Sequence, residues 1–205
     1  VIRSVAKDQI MVLKEQQVLT PEQYLSIERQ AETRSEYFNG EVFAMAGASR
    51  EHNQICSNIV ISLGTQLSEK PCNIYSSDMR VKIERHNKYT YPDIVISCDK
   101  EIFEDENRDV LLNPVVIIEI LSDSTEAYDR GLKFFHYKFI NSFVEYLLIS
   151  QKICYVEKFE RQENNIWLYS EFHHMEDIVR IKSIDCHISL KEIYRKVSLE
   201  EMQIT

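Results

Sequence analysis

Two carboxylates are distinguished by where they sit. Glu119 interrupts the run Pro114-Val115-Val116-Ile117-Ile118-Glu119-Ile120-Leu121, which otherwise reads as a strand buried on both faces. An unpaired carboxylate in such a strand costs several kcal/mol, so it needs a strong partner. Asp93 follows Tyr91-Pro92 and opens the preceding strand, Ile94-Val95-Ile96. Two acids on neighbouring strands can share one divalent cation, and that pairing is chemistry for hydrolysing a phosphate ester. The plainer readings are an Asp that faces solvent after a strand-initial Pro, and a Glu119 that is neutralised by Arg80 or Arg130.

Downstream, Asp129, Lys133 and Tyr137 recur at four-residue steps. In an α-helix each step advances about 40° round the axis, so all three line one face. Alone they read as a solvated Asp–Lys pair with an aromatic anchor. Taken with the strand before them, they can present Lys133 toward the two acids. An ammonium there orients a water or offsets charge developing on a phosphate. The histidines give no metal set: His173 and His174 are adjacent and point to opposite faces of a strand, and His136 is expected to turn away. Neither a phosphate-cradling glycine loop nor a nucleophile elbow is present.

These residues need elements to hold them. Thr20 before Pro21 starts a helix expected to end near Glu32-Thr33. Asn39-Gly40 is a two-residue hairpin turn between Glu36–Phe38 and Glu41–Met45. Ser49 caps a longer helix whose Ile55, Ile59, Leu63 and Leu67 form an apolar face ending before Pro71. Alternation predicts one strand over about 73–84 and, after a turn at His86-Asn87-Lys88, another over 89–97. Residues 99–109 read as a charged loop or short helix, and 115–121 as a strand. Ser122-Asp123-Ser124-Thr125 caps a helix to about Phe139. Strands follow at 144–149, 153–160 and 166–172, then a short helical or mixed segment over 187–196. The pattern is α/β: a mixed sheet with helices packed on it.

The whole chain limits the function classes. Its 205 residues suit one domain, 13–205, behind an N-terminal extension at 1–12. No apolar run approaches the roughly 18 residues of a membrane span. Five scattered cysteines without Cys-x-x-Cys point to a reduced, cytoplasmic protein lacking a cysteine metal site. The net charge of −9 is wrong for a general phosphate-binding surface, so action on a polyanion would need metal ions and a local basic patch. Aromatics on the C-terminal strands, Tyr155, Phe159, Trp167 and Tyr169, are a candidate homodimer surface or part of the core.

The ordered array Glu36-Tyr37-x-x-Gly40-Glu41, Tyr91-Pro92-Asp93, Asn113-Pro114, Glu119-Ile120-Leu121-Ser122, Ser124-Thr125, Tyr128-Asp129-Arg130-Gly131-x-Lys133-x-x-x-Tyr137 and Glu145-Tyr146 resembles the Uma-type restriction endonucleases of the PD-(D/E)XK nuclease superfamily. The resemblance covers about residues 13–195. It implies a restriction-endonuclease-like αβββαβ core, here with an N-terminal helix–hairpin and additional C-terminal strands. It also implies Mg²⁺-dependent (or Mn²⁺-dependent) hydrolysis of DNA phosphodiesters. Asp93, Glu119 and the Ile120 carbonyl would ligate the metal. The superfamily's lysine belongs two residues after the second acid, where this chain has Leu121. Either Lys133 replaces it, with Lys82 a weaker substitute, or the chain is a catalytically impaired module that binds nucleic acid or a partner protein. Glu41 and Asp78 are candidate supplementary acids. His52, beside Glu51 at the start of the long helix, lies where the superfamily often adds a ligand.

Overall fold

A computed structural model describes residues 18–200; the expected extension at 1–12 lies outside them. Helix α1 (Pro21–Glu28) opens with a capping box. The Gln23 N–H donates to Thr20 Oγ1 at 3.3 Å and the Thr20 N–H to Gln23 Oε1 at 2.9 Å. It ends about a turn earlier than expected, closed by a tight bond from the Gln30 N–H to the Ile27 carbonyl. Strands β1 (Ser35–Phe38) and β2 (Glu41–Ala44) form the hairpin. Its turn needs positive φ at both Asn39 (48°) and Gly40 (97°), which the Asn-Gly pair supplies. Helix α2 (Arg50–Leu67) starts at Ser49, whose hydroxyl accepts from the His52 N–H at 3.0 Å.

The two long strands expected next are each broken in the middle. Residues 73–84 become β3 (Cys72–Ser76) and β4 (Arg80–Ile83), and 89–97 become β5 (Lys88–Thr90) and β6 (Ile94–Cys98). Alternation carries across the breaks, so periodicity alone cannot show them. Pro92 lacks the N–H a continuing ladder requires, and Ser77 adopts positive φ (61°). The chain therefore changes sheets twice at one place, where the Ser77 N–H donates to the Asp93 carbonyl at 2.9 Å. The 99–109 stretch is a loop, followed by a short unexpected strand, β7 (Val110–Leu111).

After β8 (Val116–Leu121) comes a helical segment: α3 (Glu126–Tyr128), a π-helical stretch at Asp129–Lys133, and α4 (Phe134–Tyr137). Four further strands are β9 (Glu145–Ser150), β10 (Val156–Arg161), β11 (Trp167–Phe172) and β12 (Ile178–Ile181), the last unexpected. The 187–196 segment resolves into β13 (Cys186–Ser189) and α5 (Leu190–Ile193). The central sheet runs β11-β10-β9-β8-β6-β3, with β8 and β9 parallel and the other pairs antiparallel. A second sheet runs β2-β1-β5-β4-β7, and β12 pairs with β13 alone. The series α2, β3, β6, β8, helical segment, β9 gives the expected mixed α/β core.

Period two divides β8 between the two faces of the central sheet. Val116, Ile118 and Ile120 pack with Ile55, Ile59 and Leu63 of α2; Ile117 and Leu121 pack with Phe134 and Tyr137 of the helical segment. Phe159 and Trp167 belong to the second face, with ring centroids 4.6 and 5.1 Å from Phe134, so these two expected interface aromatics are core. Cys72 and Cys98, paired in register across β3 and β6, form a disulfide, which corrects the expectation of five thiols. Among the described residues no helix is long and apolar enough to cross a membrane.

Candidate active site at the seam of two sheets

Asp93 has the parity of Val95, and Glu119 that of Ile117 and Leu121, so both acids face the helical segment. Each grips the other's backbone. The Asp93 N–H donates to Glu119 Oε2 at 3.3 Å, and the Ile120 N–H donates to Asp93 Oδ2 at 2.7 Å. This is possible because β6 begins only at Ile94, paired with Ile118, leaving Glu119 and Ile120 beyond the β6–β8 ladder with an unclaimed side. Asp93 thus sits just outside the sheet end, where α2 on the opposite face can also reach it. His52 Nε2 lies 3.1 Å from Asp93 Oδ1, while His52 Nδ1 is buried with no partner.

Glu119 is 2 % exposed. Its Oε1 faces Lys133 Nζ at 2.8 Å and accepts from the Tyr137 hydroxyl at 3.2 Å; Tyr137 also meets Thr90 Oγ1 at 2.9 Å. Glu119 therefore pairs with neither Arg80, which bonds Asp109, nor Arg130, which bonds Glu126 and Glu157. Lys133 is shared: Asp129 Oδ1 is 3.4 Å away and Glu36 Oε1 3.5 Å. The π-helical stretch turns both Asp129 and Lys133 inward, departing from the α-helical spacing expected for them.

Glu36 is the residue that sequence reasoning passed over. It alternates unobtrusively along β1, yet its side chain is buried between Lys133, the Tyr91 N–H (3.3 Å) and the Tyr128 hydroxyl, which donates to Glu36 Oε2 at 3.0 Å. Tyr128 in turn accepts from Lys88 Nζ at 2.5 Å, and Lys88 donates to His136 Nδ1 at 3.2 Å. Its position, on β1 three residues before the Asn39-Gly40 turn, is one where a Glu is ordinarily solvated, and only the tertiary fold makes it informative. Of the expected supporting residues, Asp129, Tyr137 and His52 join the site. Glu41 does not: it lies on β2, exposed along its whole length. Asp78 is exposed and paired with Arg34, and Lys82 is taken by Glu104 at 2.5 Å and covers the Tyr89 ring. Glu51 pairs with Arg50.

Around one ammonium, then, stand the carboxyls of Glu36, Glu119 and Asp129, with Asp93 joined to them through Glu119. Burial, reinforced by Asp129 and Asp93 against the opposing pull of Lys133, raises the Glu119 carboxyl well above the ordinary range. Asp129 is raised by burial too. Burial acts to lower Lys133, but Glu119, Tyr137, Glu36 and Asp129 outweigh it and keep the ammonium charged. A second buried acid, Glu145, shows the contrast. Its Oε1 meets Lys158 at 2.6 Å and the Lys182 N–H, and its Oε2 the N–H and hydroxyl of Ser183, so its lone pairs are matched. The Glu119 cluster retains excess negative charge at a spot where Asp93 keeps a 19 % exposed side chain. Among the described residues no three His, Cys, Asp or Glu side chains converge as a closed metal cage.

Comparison with known proteins agrees with this architecture. Residues 21–190 match the Uma2 family, described as "Putative restriction endonuclease". Two uncharacterized proteins of Synechocystis sp. are relatives. The protein sll1609 is 36% identical over 163 residues, covering 79% of this chain and 92% of its own; slr1290 is 32% identical over 177 residues, covering 86% and 92%. A crystal structure from Anabaena variabilis, described as a "putative nuclease belonging to DUF820", superposes with a TM-score of 0.71 at 21% identity. It covers 86% of this chain and 97% of that one, a likeness of fold. By its matched length and these relatives, the chain belongs to the Uma2 family of restriction-endonuclease-like proteins.

Proposed function

We propose that the protein is a nuclease, and specifically a Mg²⁺-dependent endonuclease that hydrolyses phosphodiester bonds of DNA. The reading is carried by one observation: Asp93 and Glu119 share a sheet face and hold each other's backbone, with Lys133 2.8 Å from Glu119. The donor set suits a hard cation. Mg²⁺ uses oxygen ligands, commonly one or two carboxylates with several retained waters instead of a closed protein cage. Asp93, Glu119 and the carbonyl of Ile120 would hold it, Mn²⁺ being an alternative occupant. Bound there, the ion would supply Lewis-acid polarisation of the scissile phosphate and a more acidic water.

The chain's own residues do the rest. His52 and the Ile120 N–H fix the two oxygens of Asp93, and Tyr137 fixes Glu119. Lys133 stays protonated and offsets negative charge developing on the phosphate, or aligns the attacking water. Leu121, where the superfamily carries lysine, is packed against Ile117 and Tyr137 and faces no solvent, so the ammonium beside Glu119 comes from the helical segment instead. The test is cleavage of plasmid and single-stranded DNA with Mg²⁺ or Mn²⁺ by wild type and Glu119→Ala. Cleavage lost in the variant is the expected result. Equal residual cleavage by both would mean contamination, and would leave the non-catalytic module as the better description.

A further inference from the structure

Beyond Lys88 the helical segment carries a second feature, a run of rings interleaved with cations. His136 packs at a tilt of 35° against both Phe38 (5.3 Å between centroids) and His86 (4.3 Å). His86 continues to Phe139 (4.7 Å), and Phe139 meets Phe135 edge-on (5.3 Å). The inner rings are buried or half-buried, but Phe135 is 47 % exposed at the outer end. Three cations lie over these rings: Arg85 over Phe139 (4.4 Å), Lys138 over Phe135 (5.4 Å) and Lys88 over Phe38 (5.4 Å).

Among the described residues of this acidic chain, many cations are paired with acids, as Arg29 with Asp109, Lys82 with Glu104 and Lys158 with Glu145. Arg85, Lys88 and Lys138, like Arg108 and Arg161 elsewhere, lie over rings and in no ion pair among the described residues, and these three gather along one run of rings. An exposed ring flanked by unneutralised cations matches what an unpaired nucleotide offers: a flat base to stack and a phosphate beside it. A duplex, with its bases already stacked, offers only the phosphates. The patch is also wired to the acids. His136 bonds Lys88, Lys88 bonds Tyr128, Tyr128 bonds Glu36, and Glu36 faces Lys133.

We propose that Phe135, Arg85 and Lys138 form a docking surface for unpaired nucleotides of a nucleic-acid strand, outside the acidic cluster. The proposal rests on the nuclease reading for its substrate class but is tested separately. Binding of a fluorescently labelled DNA oligonucleotide, single-stranded or duplex, and of the RNA strand of the same sequence is measured by anisotropy in EDTA, where no cleavage occurs. Phe135→Ala should weaken single-strand binding about 5- to 150-fold, one base's worth of stacking, and Phe135→Trp should restore it. Arg85→Ala with Lys138→Ala should flatten the dependence of log affinity on log salt by about 1.4 for two lost phosphate contacts. DNA or RNA strands behaving this way support the surface and identify the sugar it accepts. It is overturned if no strand binds, if Phe135→Ala binds strands as wild type does, or if the loss is equal for duplex. Cleavage by wild type in Mg²⁺ is unaffected by any of these outcomes, so the surface can fall while the nuclease reading stands.

Discussion

Lys133 Nζ stands 2.8 Å from Glu119 Oε1, and both residues are almost wholly buried. The pair joins the helical segment to β8 and is the only direct ionic link described between them. Neither charge is tolerable alone in that position. Replacing the lysine by Met keeps the bulk and strands the carboxylate among Asp129 and Glu36.

The expected cost of Lys133→Met is about 3–5 kcal/mol, measured as a shift in the urea unfolding free energy. Adding Glu119→Gln should recover part of it, since it neutralises one of the three buried carboxyls left without the ammonium, Glu36 and Asp129 being the others. A loss under about 1 kcal/mol for Lys133→Met would mean that solvent reaches the pair.

Asp93→Asn separates metal binding from architecture. The amide oxygen can still accept from the Ile120 N–H, so the β6–β8 junction survives, but one negative charge is gone. Affinity for Mn²⁺, read by calorimetric titration, should drop about 10- to 100-fold or more, while the unfolding midpoint changes little. Unchanged Mn²⁺ affinity in Asp93→Asn would remove Asp93 from the ligand set.

Tyr137 is a smaller lever on the same acid. Its hydroxyl donates to Glu119 and meets Thr90, so Tyr137→Phe costs each of these buried atoms one partner, leaving Glu119 Oε1 to Lys133 and Thr90 Oγ1 to the Val81 carbonyl. The expected destabilisation is about 1–3 kcal/mol, with cleavage reduced by a looser Glu119. Wild-type stability in Tyr137→Phe would show that water replaces the hydroxyl.

How far the sequence reaches can be judged from particular residues. Thr20, Ser49 and Asn39-Gly40 announce their caps and turn because that chemistry is local. Glu119 announces itself because a carboxylate in an apolar strand has few innocent explanations. The sheet changes at Ser77 and Pro92 are invisible to periodicity, since a strand keeps its alternation whichever sheet it joins. Glu36 and Lys88 are hidden for the same reason: a charged residue on a hairpin or after a turn is ordinarily solvated, and only packing of the helical segment buries these two. The Cys72–Cys98 pairing depends on the β3–β6 register, which scattered spacing does not contain.

His136 gives a pH test independent of the metal question. Burial first, then the positive charge of Lys88 and the neighbouring His86, lower its pKa from 6.5 to about 4. The folded protein therefore keeps the ring neutral while the unfolded chain takes up a proton below about 6.5. Between those values the unfolded state binds more protons, so this residue's contribution is fully present above pH 6.5 and is lost as pH falls toward 4. His136→Asn keeps an acceptor for Lys88 but does not titrate. The stability advantage of wild type over His136→Asn should shrink between about pH 7 and pH 5 in urea unfolding, with Lys88 donating to the side chain in both proteins. A gap that stays constant over that range would show that His136 titrates alike in both states, and that the ring lies open to water beside Lys88.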